Sequence, residues 1–201
     1  MLTKAERTQQ RILDEAAKLF NQKGYAGTHI RDIMDATGLA KGGIYGNFES
    51  KEDLELAAFD HASEIMTRAI REVFAGQTTA PGKLHALLRF YERFVFDPPV
   101  PGGCMIMNTS IEADDAHPAL RQRVVAALDG WQRAVARIIT DGKKRGEIRS
   151  GASPSEYAAL IFATISGGIM MAKAYGDQGK LRIALKHLHA VVDNELSAIE
   201  G

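Results

Sequence analysis

Apolar residues recur along most of this chain at the three- and four-residue spacing of an amphipathic helix. Near the start of the chain the pattern is carried by Ile12, Ala16, Leu19 and Phe20. Strands would instead show apolar and polar residues in alternation, and no segment has that alternation or an internal repeat. The spacing therefore predicts an all-α protein.

Glycines and capping residues divide the first part of the chain into short helices. Gly24 is placed to end the first helix, and a second helix runs from a Thr28 cap to Gly38. A third short helix is predicted from about Ala40 to Phe48, and Ser50 is placed to cap a long fourth helix. Two short helices joined by a tight glycine turn are typical of a helix-turn-helix.

The fourth helix carries two apolar stripes instead of one. Leu54 and Ala58 begin the first stripe, and Phe59, Met66 and Ile70 lie on the second. A helix that buries two sides is expected to join two compartments. We therefore predict a helix-turn-helix domain over residues 1–50 and a larger helical domain over residues 51–201.

The larger domain is predicted to contain four further helices, separated by segments rich in glycine and proline. These helices are expected over Lys83–Phe96, around Leu120–Ile138, over Tyr157–Ala174 and over Leu181–Ile199.

The overall charge does not identify a partner, because 25 basic residues balance 25 acidic residues. Residues 1–48 hold seven Lys and Arg against five Asp and Glu, a surplus of two positive charges. The lone Cys104 fits a reducing cytoplasm, and the N-terminus lacks the apolar stretch of a secretion signal. The most apolar window, Ala158–Ala172, is shorter than the roughly 20 residues that span a bilayer. We expect a cytoplasmic protein with no membrane partner.

The third helix has an unusual composition, LAKGGIYGNF. Each glycine inside a helix costs about 1 kcal/mol relative to alanine, so three of them call for a reason. A face without bulky side chains lets the backbone approach phosphates and base edges, and Lys41, Gly42, Tyr45 and Asn47 are expected on that face. The alternative is a helical hairpin whose surface is loosened by glycine.

Residues 11–54 contain RILDEAAKLF, followed by Gly24, Thr28, IRDI and TGLAKGGIYGNFESKEDL. This series of motifs resembles the N-terminal domain of the TetR family of repressors. It implies a three-helix DNA reader on a larger helical regulatory domain, and a dimer. It also places DNA contacts at Thr28, Lys41, Gly43, Tyr45, Asn47 and Lys51. Asn47 departs from the histidine usual in that family, so altered phosphate contacts are expected there.

The last two predicted helices are candidates for a homodimer interface, since they combine apolar stripes with the small residues Ser166, Gly167 and Gly168. The predicted interface comprises Tyr157, Leu160, Thr164, Gly168, Leu181, Leu185, Leu188 and Val192. The pattern fits an internal core equally well. Dimerisation is favoured because paired recognition helices about 34 to 36 Å apart match a near-palindromic operator.

A pocket for a small, largely apolar inducer is predicted from aromatic and methionine residues at helical spacing. Its candidates are Met66, Ile70, Phe74, Leu87, Tyr91, Phe94, Cys104, Met105, Met107, Asn108, Trp131 and Phe162. Taken one at a time, these residues fit an ordinary core as well.

The segment GGCMIMNTSIE, residues 102–112, resembles a Gly-Cys element followed by Asn in one branch of the TetR family, including regulators that respond to electrophiles. Cys104 follows a helix breaker, and a thiolate at a helix N-terminus is stabilised and reactive. The competing interpretation, a small buried apolar residue, fits the usual behaviour of free cysteine.

The six histidines have no zinc-binding spacing, and no catalytic or cofactor motif is present, so neither a metal, a cofactor nor an enzyme is predicted. The sequence favours a ligand-responsive repressor that binds double-stranded DNA as a dimer. Two alternatives stay open: a helical small-molecule binding protein or enzyme with a vestigial DNA-binding domain, and a DNA-binding activator or architectural factor.

Overall fold

The computed structural model describes residues 3–113 and 117–198. Its helices are α1 (Lys4–Lys23), α2 (Ile30–Thr37), α3 (Lys41–Tyr45), α4 (Lys51–Phe74), α5 (Ala80–Arg93), α6 (Met105–Glu112), α7 (Pro118–Lys144), α8 (Pro154–Tyr175) and α9 (Gly179–Val191). A π-helical turn, Val192–Leu196, follows α9. Within the described ranges the strand-type pairing is one antiparallel bridge between Ile148 and Ser197. The all-α prediction is confirmed.

Local signals set several helix ends where they were predicted. Gly24 adopts φ 83° after α1, and its amide donates to the carbonyl of Phe20. At the start of α4, the Ser50 hydroxyl accepts from the amide of Asp53 at 3.0 Å. Capping by Ser50 is therefore confirmed.

Other predicted helix ends were wrong by a few residues. The cap of α2 is His29, whose amide donates to the Asp32 carboxylate at 2.8 Å, so Thr28 lies one residue too early. The α3 helix ends at Tyr45, and α5 starts after Thr79, whose hydroxyl accepts from Gly82 at 3.1 Å. The final α-helix stops at Val191, and Ile199 lies outside the described residues.

The first compact unit is made of Met1–Thr67 together with Pro99–Ala127. Its core includes Ile12, Phe20, Ile33, Ile44 and Phe59, all buried. The ring of Phe20 stacks on Tyr25 with 4.7 Å between the ring centroids. Helix α6 and the start of α7 therefore belong to the same packing unit as the predicted DNA reader, whose boundary at residue 50 stays a prediction.

The second compact unit is made of Arg68–Pro98 and Leu128–Gly201. In it α9 packs on α8 and α5. Gly168 makes the close approach of α8 and α9 possible, because a Cβ there would lie 2.9 Å from Leu181 Cδ1 and 3.2 Å from Ala184 Cβ.

Helix α8 has 22 residues, so it is long and apolar enough to cross a membrane by length and composition alone. The apolar window Ala158–Ala172 thus lies inside a helix that is longer than the window itself. One side of α8, however, is buried within the second unit, through Ala158, Ile161, Ile165 and Ile169. Such burial is what the core helix of a globular unit shows.

Candidate nucleic-acid interface

Helices α2 and α3 form a helix-turn-helix around Gly38. This glycine ends α2 in the left-handed conformation, with φ 66° and ψ 19°. The side chains of Ile33, Ile44 and Phe48 are buried in the first unit. Because these residues face inward, the opposite face of α3 is turned outward.

The outward face of α3 carries Lys41, Gly42 and Tyr45, all exposed. The Lys41 ammonium lies 5.7 Å from the centroid of the Tyr45 ring, within the range of a cation–π contact. The face therefore offers a positive charge and a phenol hydroxyl on either side of a residue without a side chain.

The glycines in α3 and directly after it differ in what surrounds them. A Cβ at Gly43 would lie 3.4 Å from the Leu39 side chain, and a Cβ at Gly46 would lie 3.1 Å from the Gly42 carbonyl. A Cβ at Gly42, by contrast, would meet no atom of the described chain within 4 Å beyond its neighbours in the helix backbone. The fold itself gives no reason for glycine at position 42.

Asn47 is half-buried, and its Nδ2 donates to the carbonyl of Gly43 at 2.8 Å. An amide nitrogen carries two hydrogens, so one remains for an acceptor outside the chain. The predicted phosphate contact therefore stays compatible with the internal hydrogen bond.

Thr28 does not belong to the exposed surface. The residue is 0% exposed, and its hydroxyl donates to the Gly24 carbonyl at 2.6 Å. Its side chain holds the turn between α1 and α2 and has no outward face, so the predicted DNA contact by Thr28 was wrong.

Lys51 lies in the first turn of α4 and is half-buried. Its ammonium donates to the Tyr25 carbonyl at 3.0 Å and forms an ion pair with Glu55 at 3.0 Å. Glu55 also contacts His117 Nε2, at 3.2 Å. Neither Glu55 nor its link to His117 was predicted from the sequence.

A second charged pair lies at the start of α2. The Lys23 ammonium is 2.7 Å from the Asp32 carboxylate. This hydrogen bond, together with that from the His29 amide, lowers the pKa of Asp32 below its ordinary value. Asp32 thus stays ionised, and it offsets the charge of Lys23.

Cys104 stands directly before α6, as predicted, and is 8% exposed. Asn108, four residues on, donates to the Asn21 side-chain oxygen at 2.9 Å and to the Gly102 carbonyl at 3.1 Å. The Asn108 amide therefore holds the end of α1 and the loop before α6. Its place in an inducer pocket stays a prediction.

The predicted pocket residues fall into the two units. In the second unit, the Trp131 indole donates to the Tyr91 hydroxyl at 3.2 Å, and Phe162 packs edge-on against Trp131 with 5.0 Å between centroids. Phe94 lies 5.2 Å from Tyr91, so an aromatic cluster forms. This unit also contains buried Leu87 and half-buried Ile70 and Phe74.

The other pocket candidates lie in the first unit. Met105 is buried in its core, Met66 packs against that core, and Met107 is half-buried. Two open cavities occur elsewhere, of about 420 Å³ beside Arg11 and Pro101 and about 620 Å³ beside Phe96 and Arg182. Neither is lined by a predicted pocket residue.

The predicted dimer surface needs correction. Leu181, Leu185, Leu188 and Val192 are each about 1% exposed, and Gly168 packs on α9 of the same chain. These residues form the interior of the second unit, so they cannot also cover a partner subunit.

Outside this buried set, α8 and α9 each carry exposed apolar side chains, and the predicted interface residues Leu160 and Thr164 lie in that part of α8. Leu160 is 46% and Ile183 66% exposed, with Met171 also on the surface. Half-buried Thr164 and Gly167 lie between Leu160 and Met171 at helical spacing, and a Cβ placed on Gly167 would meet open space. Tyr157, at the start of α8, is half-buried, and its hydroxyl donates to Glu195 at 3.1 Å.

Two histidines from α5 and α9 meet in the second unit. His85 Nδ1 lies 2.6 Å from His189 Nδ1, and His85 Nε2 lies 2.8 Å from Asp193. Burial and the neighbouring His85 lower the pKa of His189. Among residues 3–113 and 117–198, no group of three or more His, Cys, Asp or Glu side chains is placed to hold a metal ion.

Comparison with known proteins covers both parts of the chain. Residues 12–58 match the family model for bacterial regulatory proteins of the tetR family. Residues 80–188 match the model for the tetracyclin repressor-like C-terminal domain.

Similar curated proteins are transcriptional regulators. The HTH-type transcriptional repressor DhaR of Mycobacterium sp. (strain GP1) is 24% identical, over 82% of this chain and 81% of its own length. The fatty acid metabolism regulator protein of Bacillus subtilis is 26% identical, over 77% of both chains.

Solved structures share the whole fold. A TetR transcriptional regulator from Chloroflexus aurantiacus J-10-FL superposes with a TM-score of 0.94 at 41% identity, covering 98% of this chain and all of the other. A TetR-family regulator from Cytophaga hutchinsonii has a TM-score of 0.90 at 31% identity, with both chains fully covered.

Proposed function

The chain belongs to the TetR family of bacterial transcriptional regulators, and we propose that it is a dimeric transcriptional repressor. The dimer binds a near-palindromic DNA operator, and a small-molecule inducer releases it from the DNA. The observation that carries the proposal is Gly42, a helical glycine that opens onto empty space between exposed Lys41 and Tyr45. Glycine in a helix is unfavourable by about 1 kcal/mol, so a partner outside the chain is the reason we give for it.

The DNA contacts that we propose come from α3 and the start of α4. Lys41, Tyr45, Asn47 and Lys51 supply donors for phosphates, and Gly42 lets the helix backbone sit deep in the major groove. Gly43 also favours close approach to DNA, because it adds no side chain to the same turn of α3. Phosphate contacts position the helix, and they make the affinity depend on salt.

The proposed dimer uses the exposed face of the last two helices. Leu160, Thr164, Gly167 and Met171 form its stripe on α8, and Ile183 is the exposed apolar residue on α9. Two copies of this face would present small and apolar residues to each other. Dimerisation lets two recognition helices about 34 to 36 Å apart enter successive major grooves of one operator.

The proposed inducer is small and largely apolar, and the aromatic cluster of Tyr91, Phe94, Trp131 and Phe162 is the place in the second unit that best suits it. One relative is named a fatty acid metabolism regulator protein, a name that suits regulation by an apolar metabolite. The inducer can lower the affinity for DNA only to the extent that it binds the released conformation more tightly than the DNA-binding conformation.

Helices α4 and α7 each contribute residues to both compact units, because the unit boundaries at 67/68 and 127/128 lie within them. A shift of either helix on inducer binding would be passed along a continuous helix. We propose that such a shift changes the spacing of the two α3 helices in the dimer and so lowers operator affinity.

Binding of the purified protein to duplex DNA from upstream of its own gene tests the proposal. Affinity should fall steeply with salt, and Lys41→Ala should lower both the affinity and the salt slope, the latter by about 1. Lys186→Ala removes an exposed lysine of α9 and is the matched control that should leave affinity unchanged. A protein that ignores every such duplex at low ionic strength contradicts the proposal.

The alternatives make different predictions for the same measurements. A small-molecule binding protein or enzyme with a vestigial reader would bind ligand without any sequence-specific DNA affinity. An activator or architectural factor would bind DNA, but a reporter driven by the bound promoter would not rise when the protein is removed. Repression predicts that the reporter rises.

A further inference from the structure

Glu55 is a charged side chain in the interior of the first unit. It lies one turn after Lys51 on α4 and is 6% exposed. One carboxylate oxygen is 3.0 Å from the Lys51 ammonium, and the other is 3.2 Å from His117 Nε2. A carboxylate away from water needs such partners, because an unpaired buried charge is strongly unfavourable.

His117 connects this carboxylate to the start of α7. It stands directly before Pro118, and its Nδ1 accepts from the amide of Leu120 at 3.3 Å, which caps the helix. Since Nδ1 is the acceptor there, the ring proton lies on Nε2 and points to Glu55. The first turn of α7 is thereby tied to α4.

Lys51 is shared between the interior and the surface. Its ammonium donates to the Tyr25 carbonyl and to Glu55, and its side chain is 35% exposed. An ammonium has three hydrogens, so one is left for an acceptor outside the chain. A DNA phosphate and the Glu55 carboxylate would therefore compete for the same Lys51 ammonium.

We propose that Glu55 is a positioning residue for Lys51. Its ion pair with Lys51, which depends on the contact between Glu55 and His117 at the start of α7, determines how strongly Lys51 binds a DNA phosphate. The inference rests on the proposed function, because it needs Lys51 to meet DNA. It names α7 as an element whose position tunes the interface through a specific pair of contacts.

Substitutions of Glu55 and of His117 should change operator affinity in opposite directions. Replacing the carboxylate by an amide in Glu55→Gln removes the charge that competes with the phosphate, so operator affinity should rise about three- to tenfold. His117→Asn keeps a side chain that can cap α7 but withdraws the contact to Glu55. The carboxylate then relies on Lys51 alone, and operator affinity should fall.

A double-mutant cycle isolates the Glu55–Lys51 coupling. Operator affinity is measured over a salt series for wild type, Lys51→Ala, Glu55→Gln and the double variant. We expect Lys51→Ala to cost about three- to tenfold more affinity in the Glu55→Gln background than in wild type. An equal cost in both backgrounds overturns the inference.

Glu52→Gln is the matched control, since it removes an exposed acidic charge from the same turn of α4, whereas the ion pair of Lys51 is with Glu55. Its effect should add to that of Lys51→Ala. If Glu55→Gln fails to fold, as judged by thermal unfolding, the loss of affinity in His117→Asn decides instead, and unchanged affinity there overturns the inference. A wild-type protein that binds no DNA overturns the proposed function as well, whereas DNA binding without coupling removes only the role of Glu55.

Discussion

Asn21 at the end of α1 and Asn108 in α6 form a direct amide pair, in which Asn108 Nδ2 donates to Asn21 Oδ1 at 2.9 Å. Asn21 Nδ2 in turn donates to the carbonyls of Pro101 at 3.0 Å and Gly103 at 2.9 Å. The pair therefore fixes the loop before α6 against α1, the first helix of the predicted DNA reader.

Asn21→Ala should destabilise the first unit by about 1–3 kcal/mol, because it leaves buried carbonyl groups without their donor. Urea unfolding followed by circular dichroism measures the change. Asn194→Ala, at an exposed position after α9, is the control and should unfold like wild type. Equal unfolding midpoints for both variants would show that the amide pair contributes nothing.

Gly42→Ala should separate stability from DNA binding. A methyl group there would point into open space, so the helix gains up to about 1 kcal/mol, while the added bulk on the outward face weakens operator binding. Gly130→Ala, also in a helix and also with open space, should stabilise without changing operator affinity. Unfolding curves and fluorescence anisotropy with labelled duplex test both statements, and undiminished binding by Gly42→Ala would argue against close approach.

Leu160→Glu and Ile183→Glu should convert the dimer to monomer, because each places a charge in the proposed apolar interface. The measurement is the molar mass by light scattering after size-exclusion chromatography. Val125→Glu changes an exposed apolar residue of α7 and should leave the mass at that of a dimer. A dimer that survives both α8 and α9 substitutions would place the interface elsewhere.

Acid should weaken the second unit through His189. Burial and the neighbouring His85 lower the pKa of His189 in the folded state below the ordinary value of 6.5, so the unfolded chain binds the proton more readily. The free energy of unfolding should therefore fall as the pH drops from 6.5 toward the folded-state pKa. Urea unfolding across this range should show a flatter pH dependence in His189→Gln, whereas the exposed His187→Gln should follow wild type.

Helix positions could be predicted from the sequence where the signal is local. The end of α1 at Gly24 and the cap of α4 at Ser50 depend on a few neighbouring residues, and both are confirmed. The length of α3 depends instead on the backbone hydrogen bonding after Tyr45, which the apolar spacing does not reveal. After Tyr45 the chain continues in tighter turns, with the Asn47 amide donating to Ile44, and the apolar spacing through Phe48 does not distinguish these turns from a helix.

The sequence predicts that a residue is buried more readily than it predicts which helix or subunit covers that residue. The stripe of Leu181, Leu185 and Leu188 correctly indicates a buried face on α9, but periodicity is the same whether the cover is a partner subunit or α8 of the same chain. Likewise, the apolar spacing does not reveal that the Thr28 hydroxyl turns inward to Gly24, nor that His117 reaches Glu55, 62 residues earlier in the sequence.

The first unit is made of two separate stretches, Met1–Thr67 and Pro99–Ala127. This division matters for the design of hybrid regulators that take the proposed DNA specificity from one parent protein. A hybrid regulator that takes only the residues before α5 from one parent would mismatch the Asn21–Asn108 and Glu55–His117 pairs at the seam. A hybrid that is meant to keep the proposed operator specificity should therefore take α6 and the beginning of α7 from the same parent as α3, although the two stretches are separate in the sequence.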